Sequence, residues 1–156
     1  MAGKGAIARK TRSHGVPCKG PRRVKTALDS SVILDVVTND PDWADASERS
    51  IQEAYTLGQL VVCECVIAEI APAFALGDLA LFLQDWNILF LPSTLESSRA
   101  AGEMYRSYIL RGGAAKWVIP DFLIGSHAMH HAGRLLARDR GYYRDYFTSL
   151  NVIEPT

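Results

Sequence analysis

The sequence lacks the features of disulfide-bonded, zinc-stabilised and membrane-spanning proteins. Its three cysteines, Cys18, Cys63 and Cys65, are an odd number without a CxxC pair, which argues against a disulfide framework and against a structural zinc site. No apolar run is long enough to cross a bilayer. No apolar stretch follows the basic N-terminus, as it would in a secretory signal. We therefore expect a cytoplasmic protein.

Acidic residues are missing from the first 25 positions, which carry eight lysines and arginines. The rest of the chain holds nine basic and all seventeen acidic residues, so its net charge is −8. Glycine and proline recur in the same N-terminal segment. We expect residues 1–23 to form a disordered basic arm that contacts nucleic acid through its phosphates. An inert extension is an equal alternative.

Residues 24–156 have the length of one domain and alternate between strand-like and helix-like segments. Apolar runs predict five strands, at residues 24–28, 60–63, 87–91, 135–138 and 151–153. Helices are predicted between them. The first covers about residues 30–37, and the second runs from Pro41 to Leu57 with Asp40 as its N-cap and Gly58 as its C-terminal cap. A later helix is opened by a capping box of Ser93 and Glu96. This alternation indicates an α/β fold with a parallel sheet covered by helices on both faces.

Four carboxylates stand where such a sheet would hold a ligand, namely beyond the carboxyl ends of the strands. Asp29 and Asp139 end two strands, and Asp121 begins a helix. Glu69 is the only charge in an apolar helix, so its ionised form needs compensation. Oxygen ligands alone suit Mg²⁺ or Mn²⁺ better than zinc. By spacing alone, helix caps and ion pairs explain the four acids equally well.

Four segments resemble the acidic motifs of PIN domains, in the same order. They are LDSSVILD at residues 28–35, VIAEI at 66–70, PDFLIGSHA at 120–128 and LLARDRGYY at 135–143. Residues 146–147 and 150–153 also resemble the end of that family. The resemblance covers residues 24–154 and is strongest to VapC-type toxins of bacterial toxin-antitoxin pairs. It implies that residues 24–156 form a PIN domain, a three-layer α/β/α fold with a five-stranded parallel sheet.

The resemblance also implies a function, which is Mg²⁺- or Mn²⁺-dependent cleavage of RNA, inhibited by a small antitoxin, in a protein that forms homodimers. By motif match Asp29, Glu69, Asp121 and Asp139 become catalytic metal ligands, directly or through water. Ser30 and Ser31 become candidates for hydrogen bonds to those ligands. Ala137 departs from the pattern, because family members often carry Thr or Ser there, and this puts the strength of the metal site in doubt.

Several charged residues and histidines lie outside the four predicted metal ligands. Basic residues around the acidic cleft are candidates for phosphate contacts, with solvated surface charge as the alternative for each: Arg111, Lys116, Arg138, Arg140 and Arg144. We expect Asp35 to be a solvated acid on the first helix. We expect His127, His130 and His131 to lie at the surface or at a subunit contact.

The sequence is compatible with other functions as well. A phosphatase of the haloacid dehalogenase type needs an acid two residues after the first Asp, where this chain has Ser31. A noncatalytic PIN module that binds RNA or a partner is the main rival. A housekeeping RNA-processing nuclease is another, and a neighbouring antitoxin gene would favour the toxin over it.

Overall fold

The structure is a computed structural model that describes residues 24–113, 118–139 and 141–156. The predicted basic arm, Lys116 and Arg140 lie outside the described residues. The elements, in chain order, are β1 (Val24–Leu28), α1 (Ser30–Val37), α2 (Ala44–Leu57), β2 (Gly58–Val62), α3 (Glu64–Ile70), a short 3₁₀ helix (Ala71–Ala73), α4 (Asp78–Asp85), β3 (Ile88–Phe90), α5 (Leu95–Leu110), α6 (Ile119–His131), β4 (Arg134–Leu136), α7 (Tyr142–Tyr146) and β5 (Asn151–Ile153).

The five strands form one parallel sheet in the order β3-β2-β1-β4-β5. Ala27 of the central strand β1 pairs with Val61 of β2 on one side and with Leu135 of β4 on the other. From β1 the chain builds the sheet towards β3, and it later returns to add β4 and β5. The strand order therefore reverses between β1 and β4, which is where parallel sheets bind ligands.

Helices pack on both faces of the sheet, so the predicted three-layer α/β/α fold is confirmed. The three central strands β2, β1 and β4 carry mostly buried apolar side chains, as expected for a parallel sheet between helices, whereas Leu89 and Phe90 of the edge strand β3 are about half exposed. Leu28, Leu60 and Leu135 from three neighbouring strands are completely buried. They give the carboxyl ends of β1 and β4 a rigid base.

Gly58 joins α2 to β2, where the chain passes close to β1. A Cβ atom at this position would lie 1.9 Å from the carbonyl oxygen of Val24. Val24 and Gly58 are paired residues in the sheet. Only a residue without a side chain fits this approach, which explains why the predicted cap of α2 is a glycine.

Several predicted boundaries shift for local reasons. Helix α2 begins at Ala44 rather than Pro41, because the Asp40 carboxylate accepts hydrogen bonds from the backbone of Asp42 (2.9 Å) and Trp43 (3.1 Å) and forms a turn before the helix. The capping box of α5 uses Thr94 and Ser97, so the prediction of Ser93 and Glu96 is wrong. The five-residue helix α7 was not predicted.

In the described part of the chain, no individual helix has both the length and the apolar character to span a membrane. Among residues 24–113, 118–139 and 141–156, one pair of helices, Glu64–Ala73 and Asp78–Asp85, meets both conditions when taken together, and it is bent by 119°.

Candidate active site

The carboxyl ends of β1 and β4 and the first turn of α6 surround a cavity of about 240 Å³. We call it the acidic cavity. Three of the four predicted carboxylates, Asp29, Glu69 and Asp121, line it. The remaining lining residues are Ser30, Ser31, Pro120, Arg138, Tyr142 and Tyr143. The fold thus brings together residues from the first, second and third acidic motifs.

Asp29 follows β1 directly, is 6% exposed, and has hydrogen-bond donors on both carboxylate oxygens. Oδ2 accepts from the backbone N–H of Ser31 at 3.1 Å and from the Ser31 hydroxyl. Oδ1 accepts from the Tyr143 hydroxyl at 2.7 Å. The Ser31 hydroxyl in turn accepts the backbone N–H of Arg138 at 3.2 Å, which ties the end of β1 to the segment after β4. The Asp29 carboxylate is therefore fixed in one orientation.

Glu69 is exposed as a whole residue, but its carboxylate lies against the acidic cavity. Partial burial and the negative charge of Asp29 raise the pKa of Glu69, whereas a hydrogen bond from Ser30 opposes the rise. Asp121 lies in the first turn of α6, where the helix dipole favours a negative charge. Ser30 hydrogen-bonds to Glu69 and Ser31 to Asp29, and their support of metal ligands stays a prediction.

Tyr143 is a functional candidate that the sequence did not single out. Its side chain is buried beside the acidic cavity, and burial together with the charge of Asp29 holds the pKa of the hydroxyl well above its ordinary value. The hydroxyl consequently remains a hydrogen-bond donor. Its only sequence signal is its place four residues after Asp139, inside the fourth motif.

Asp139, the fourth predicted carboxylate, does not line the acidic cavity. Its Oδ1 accepts backbone N–H groups of Gly141 (2.9 Å) and Tyr143 (3.2 Å), and its Oδ2 accepts that of Arg144 (3.3 Å). Its side chain is completely buried. These bonds fix the start of α7, the helix that carries Tyr143. Asp139 lines a neighbouring cavity instead of the acidic one.

No group of three His, Cys, Asp or Glu side chains within residues 24–113, 118–139 and 141–156 is close enough to hold a metal ion by protein ligands alone. The side-chain atoms of the acidic cavity that could bind a metal ion are nevertheless all oxygens. Mg²⁺ keeps several waters and binds through one or two carboxylates, so a partial set of oxygen ligands fits it. Zinc, which proteins bind mostly through histidine and cysteine, fits a site of oxygen ligands alone less well.

Two expectations about polar residues are wrong. His127 is not at the surface, because it is 1% exposed and its Nε2 hydrogen-bonds to the Leu91 carbonyl at 2.7 Å. Asp35 is not solvated, because it is 2% exposed and accepts a hydrogen bond from the Ser47 hydroxyl at 2.7 Å. Arg138 completes the environment of Asp35 with an ion pair at 3.0 Å.

The candidate RNA-binding arginines have different surroundings. Arg138 lines both the acidic cavity and its neighbour. Arg111 at the end of α5 lies over the ring of Tyr146, at 5.4 Å from the centroid. Arg144 pairs with Glu154 at 2.6 Å, which neutralises part of its charge. Of the three, Arg138 lines the acidic cavity, although its ion pair with Asp35 neutralises part of its charge as well.

Comparisons with known proteins agree with this geometry. The model of the family described as PIN domain matches residues 26–147. Comparison with curated protein sequences gives no significant match.

Three solved structures share the fold. One chain of VapBC2 from Rickettsia felis, bound to a DNA fragment from their promoter, is 15% identical with a TM-score of 0.66 and covers 85% of this chain and 100% of its own. VapBC-1 of nontypeable Haemophilus influenzae is 17% identical, with a TM-score of 0.61 and coverages of 84% and 98%. FitAB bound to the IR36 DNA fragment is 19% identical, with a TM-score of 0.58 and coverages of 83% and 94%.

At these identities the structural likeness shows the shared fold, whereas the family model matches most of the sequence itself. The five-stranded parallel sheet is consistent with that match. The chain belongs to the PIN domain family.

Proposed function

We propose that the chain is a VapC-type toxin of the cytoplasm, a Mg²⁺- or Mn²⁺-dependent ribonuclease that hydrolyses RNA phosphodiester bonds and is inhibited by a cognate antitoxin. PIN domains are generally nucleases that use divalent metal ions. One observation carries the proposal: Asp29, Glu69 and Asp121 line one cavity at the switch point of the sheet. Acids collected there repel one another unless a cation is present.

We assign the metal-binding role to Asp29, Glu69 and Asp121, partly through water. Asp139 contributes indirectly, because its carboxylate is used by the backbone of α7. A bound Mg²⁺ or Mn²⁺ would supply a water of lowered pKa as nucleophile and would neutralise charge on the phosphoryl oxygens. Ser31 and Tyr143 hold Asp29 in place for that role.

RNA needs positive charge near this cavity, since the carboxylates alone repel phosphate. Among the described residues the candidates are Arg138, which lines the cavity but shares its charge with Asp35, and Arg111 at the end of α5. Lys116, Arg140 and the basic arm belong to the same proposal on the basis of sequence. Phosphate contacts of this kind give affinity that falls with salt and carries no sequence information.

The partner proposal rests on the solved structures of the same fold. These structures are of VapBC and FitAB proteins, and the Rickettsia felis proteins were bound to DNA from their promoter. We propose that this chain likewise pairs with a small antitoxin and forms a homodimer. Coexpression with the product of an adjacent small gene, followed by size-exclusion chromatography, measures both assemblies.

The function is tested by incubating the purified protein with RNA in Mg²⁺, in Mn²⁺ and in EDTA. We expect cleavage only with metal, with 5′-phosphate and 3′-hydroxyl ends, and no cleavage by Asp29→Asn. Cyclic 2′,3′-phosphate ends or full activity in EDTA would contradict the mechanism. RNA binding without cleavage under all conditions would favour a noncatalytic PIN module.

A further inference from the structure

A second cavity adjoins the acidic one, and we call it the Trp43 cavity. It has a volume of about 260 Å³ and is lined by Ser31, Trp43, Arg138, Asp139, Glu154 and Pro155. Ser31 and Arg138 line the acidic cavity as well. The two cavities are therefore neighbours that share these two residues.

Arg138 and Trp43 form a fixed surface in this cavity. The guanidinium carbon of Arg138 lies 5.3 Å from the centre of the Trp43 ring. The guanidinium is held there by its ion pair at 3.0 Å with the buried Asp35, which the Ser47 hydroxyl also contacts. A cation stacked on an indole and anchored by a buried acid has little freedom to move.

Trp43 itself remains 38% exposed. A tryptophan offers more apolar surface than any other side chain, and proteins usually bury most of it. Trp43 precedes α2 at its N-terminus and contributes part of its ring to the wall of an open cavity. Together with Pro155 it gives the cavity an apolar surface close to a guanidinium.

The charges around the Trp43 cavity select the kind of ligand. Glu154 is paired with Arg144 at 2.6 Å, and Asp139 is occupied by backbone N–H groups. With Asp35, three carboxylates face the two arginines Arg138 and Arg144, so the region has no net positive charge for a phosphate. A neutral planar group with an aromatic face fits better, because it stacks on Trp43 without adding charge.

We propose that the Trp43 cavity is a subsite for a nucleobase of the substrate strand, that of the nucleotide adjoining the scissile phosphate. This inference rests on the proposed function, since it takes RNA as the substrate and the acidic cavity as the place of cleavage. Stacking on an aromatic side chain accepts any base. The subsite therefore positions the strand more than it reads sequence.

The test pairs a protein variant with a substrate change. The wild-type protein and the variants Trp43→Ala and Trp43→Phe are given a short single-stranded RNA that spans a mapped cut site. Matched RNAs carry an abasic nucleotide on one side of the cut or on the other. We expect Trp43→Ala to raise KM by about tenfold or more, the usual effect of losing one base-aromatic stack, and to change kcat much less. Trp43→Phe should restore most of the affinity.

The effects of Trp43→Ala and of the abasic nucleotide on KM should not be additive. On one side of the cut, the abasic RNA should lose about the same factor in KM with the wild-type protein, and little more with Trp43→Ala. Additive losses on both sides would overturn the subsite while leaving the nuclease function intact. Thermal unfolding of each variant checks that the fold is retained.

A binding experiment tests the subsite if no RNA is cleaved. Fluorescence anisotropy of the same labelled RNAs is measured with Asp29→Asn and with Asp29→Asn combined with Trp43→Ala. Affinity that depends on both the base and Trp43 would support the subsite even if the proposed nuclease function failed. Affinity that depends on neither would overturn it, and a Trp43 effect confined to binding of a protein partner would assign the cavity to that partner instead.

Discussion

The Tyr143 hydroxyl donates a hydrogen bond of 2.7 Å to Oδ1 of Asp29, so the helix after the fourth acidic motif holds the acid of the first motif. Asp139 stabilises the position of Tyr143, because its Oδ1 accepts the backbone N–H of Tyr143 at 3.2 Å. The first and fourth acids are therefore coupled through one tyrosine. Loss of the Tyr143 hydroxyl should disturb Asp29 without removing any carboxylate.

Replacing Tyr143 with Phe should slow RNA cleavage roughly tenfold or more, since a hydrogen bond to a charged group contributes about 1.5–3 kcal/mol. The reason is that Asp29 loses the donor on one oxygen and gains freedom to rotate. Single-turnover cleavage rates at saturating RNA measure the effect. Tyr146→Phe is the matched control, because it removes a hydroxyl from the same short helix and keeps the ring packed on Phe122. Equal rates in the two variants would contradict the positioning role.

Glu69→Gln should weaken Mn²⁺ binding while the fold persists. Because the pKa of Glu69 is raised, the folded state holds its ionised form less well than the unfolded chain does. Loss of that charge should leave metal-free stability at pH 7 unchanged or higher. Calorimetric titration with Mn²⁺, without RNA, measures the affinity, and Glu103→Gln on the exposed side of α5 is the control. Unchanged Mn²⁺ affinity would remove Glu69 from the set of ligands.

His127 should make the stability of the protein pH-dependent. Burial lowers the pKa of His127 below its ordinary 6.5, so the unfolded chain takes up a proton at a higher pH than the folded protein does. The wild type should therefore be most stable above 6.5, and should lose this contribution as the pH falls from there to the lower folded-state pKa.

Urea unfolding of wild type and His127→Gln at pH 7.5 and 5 measures this contribution. Glutamine keeps an N–H donor for the Leu91 carbonyl, so the variant should lose less stability between the two pH values. His130→Gln, a change of an exposed histidine on the same helix, should behave like the wild type. Parallel losses in all three proteins would rule out His127 as the source.

Gly58→Ala should destabilise the protein by about 1–3 kcal/mol or more, the usual cost of overpacking. The added Cβ meets the Val24 carbonyl at 1.9 Å, and that atom belongs to the central strand of the sheet. Gly102→Ala provides the contrast, since a Cβ at this site in α5 meets nothing within 4 Å. There alanine should stabilise by about 0.5–1 kcal/mol through its better helix propensity. Denaturant midpoints of both variants settle the comparison, and a neutral Gly58→Ala would contradict it.

The local sequence was enough to predict several strands and helices of the fold. The apolar run 24–28, the helix 30–37 and the strand 151–153 have the predicted bounds, because each follows from a few adjacent residues. The positions of Asp29 and Asp121 at the open end of the sheet follow from the same pattern, since parallel strands present their carboxyl ends together. The end of α2 at Gly58 was also predicted from the sequence, whereas the close approach of Gly58 to Val24 was not.

Only the tertiary structure decided which polar groups are buried and what they contact. Asp35 has the sequence pattern of a solvated acid, yet Arg138, far along the chain, makes its burial possible. Helix α7 has five residues, too few for a periodic signal, and it depends on the carboxylate of Asp139 for its first turn. The sequence therefore determined the sheet and its acids, whereas long-range packing brought Tyr143 to Asp29 and Arg138 to Asp35, because a buried charge is stable only where the fold supplies hydrogen-bond donors or an opposite charge.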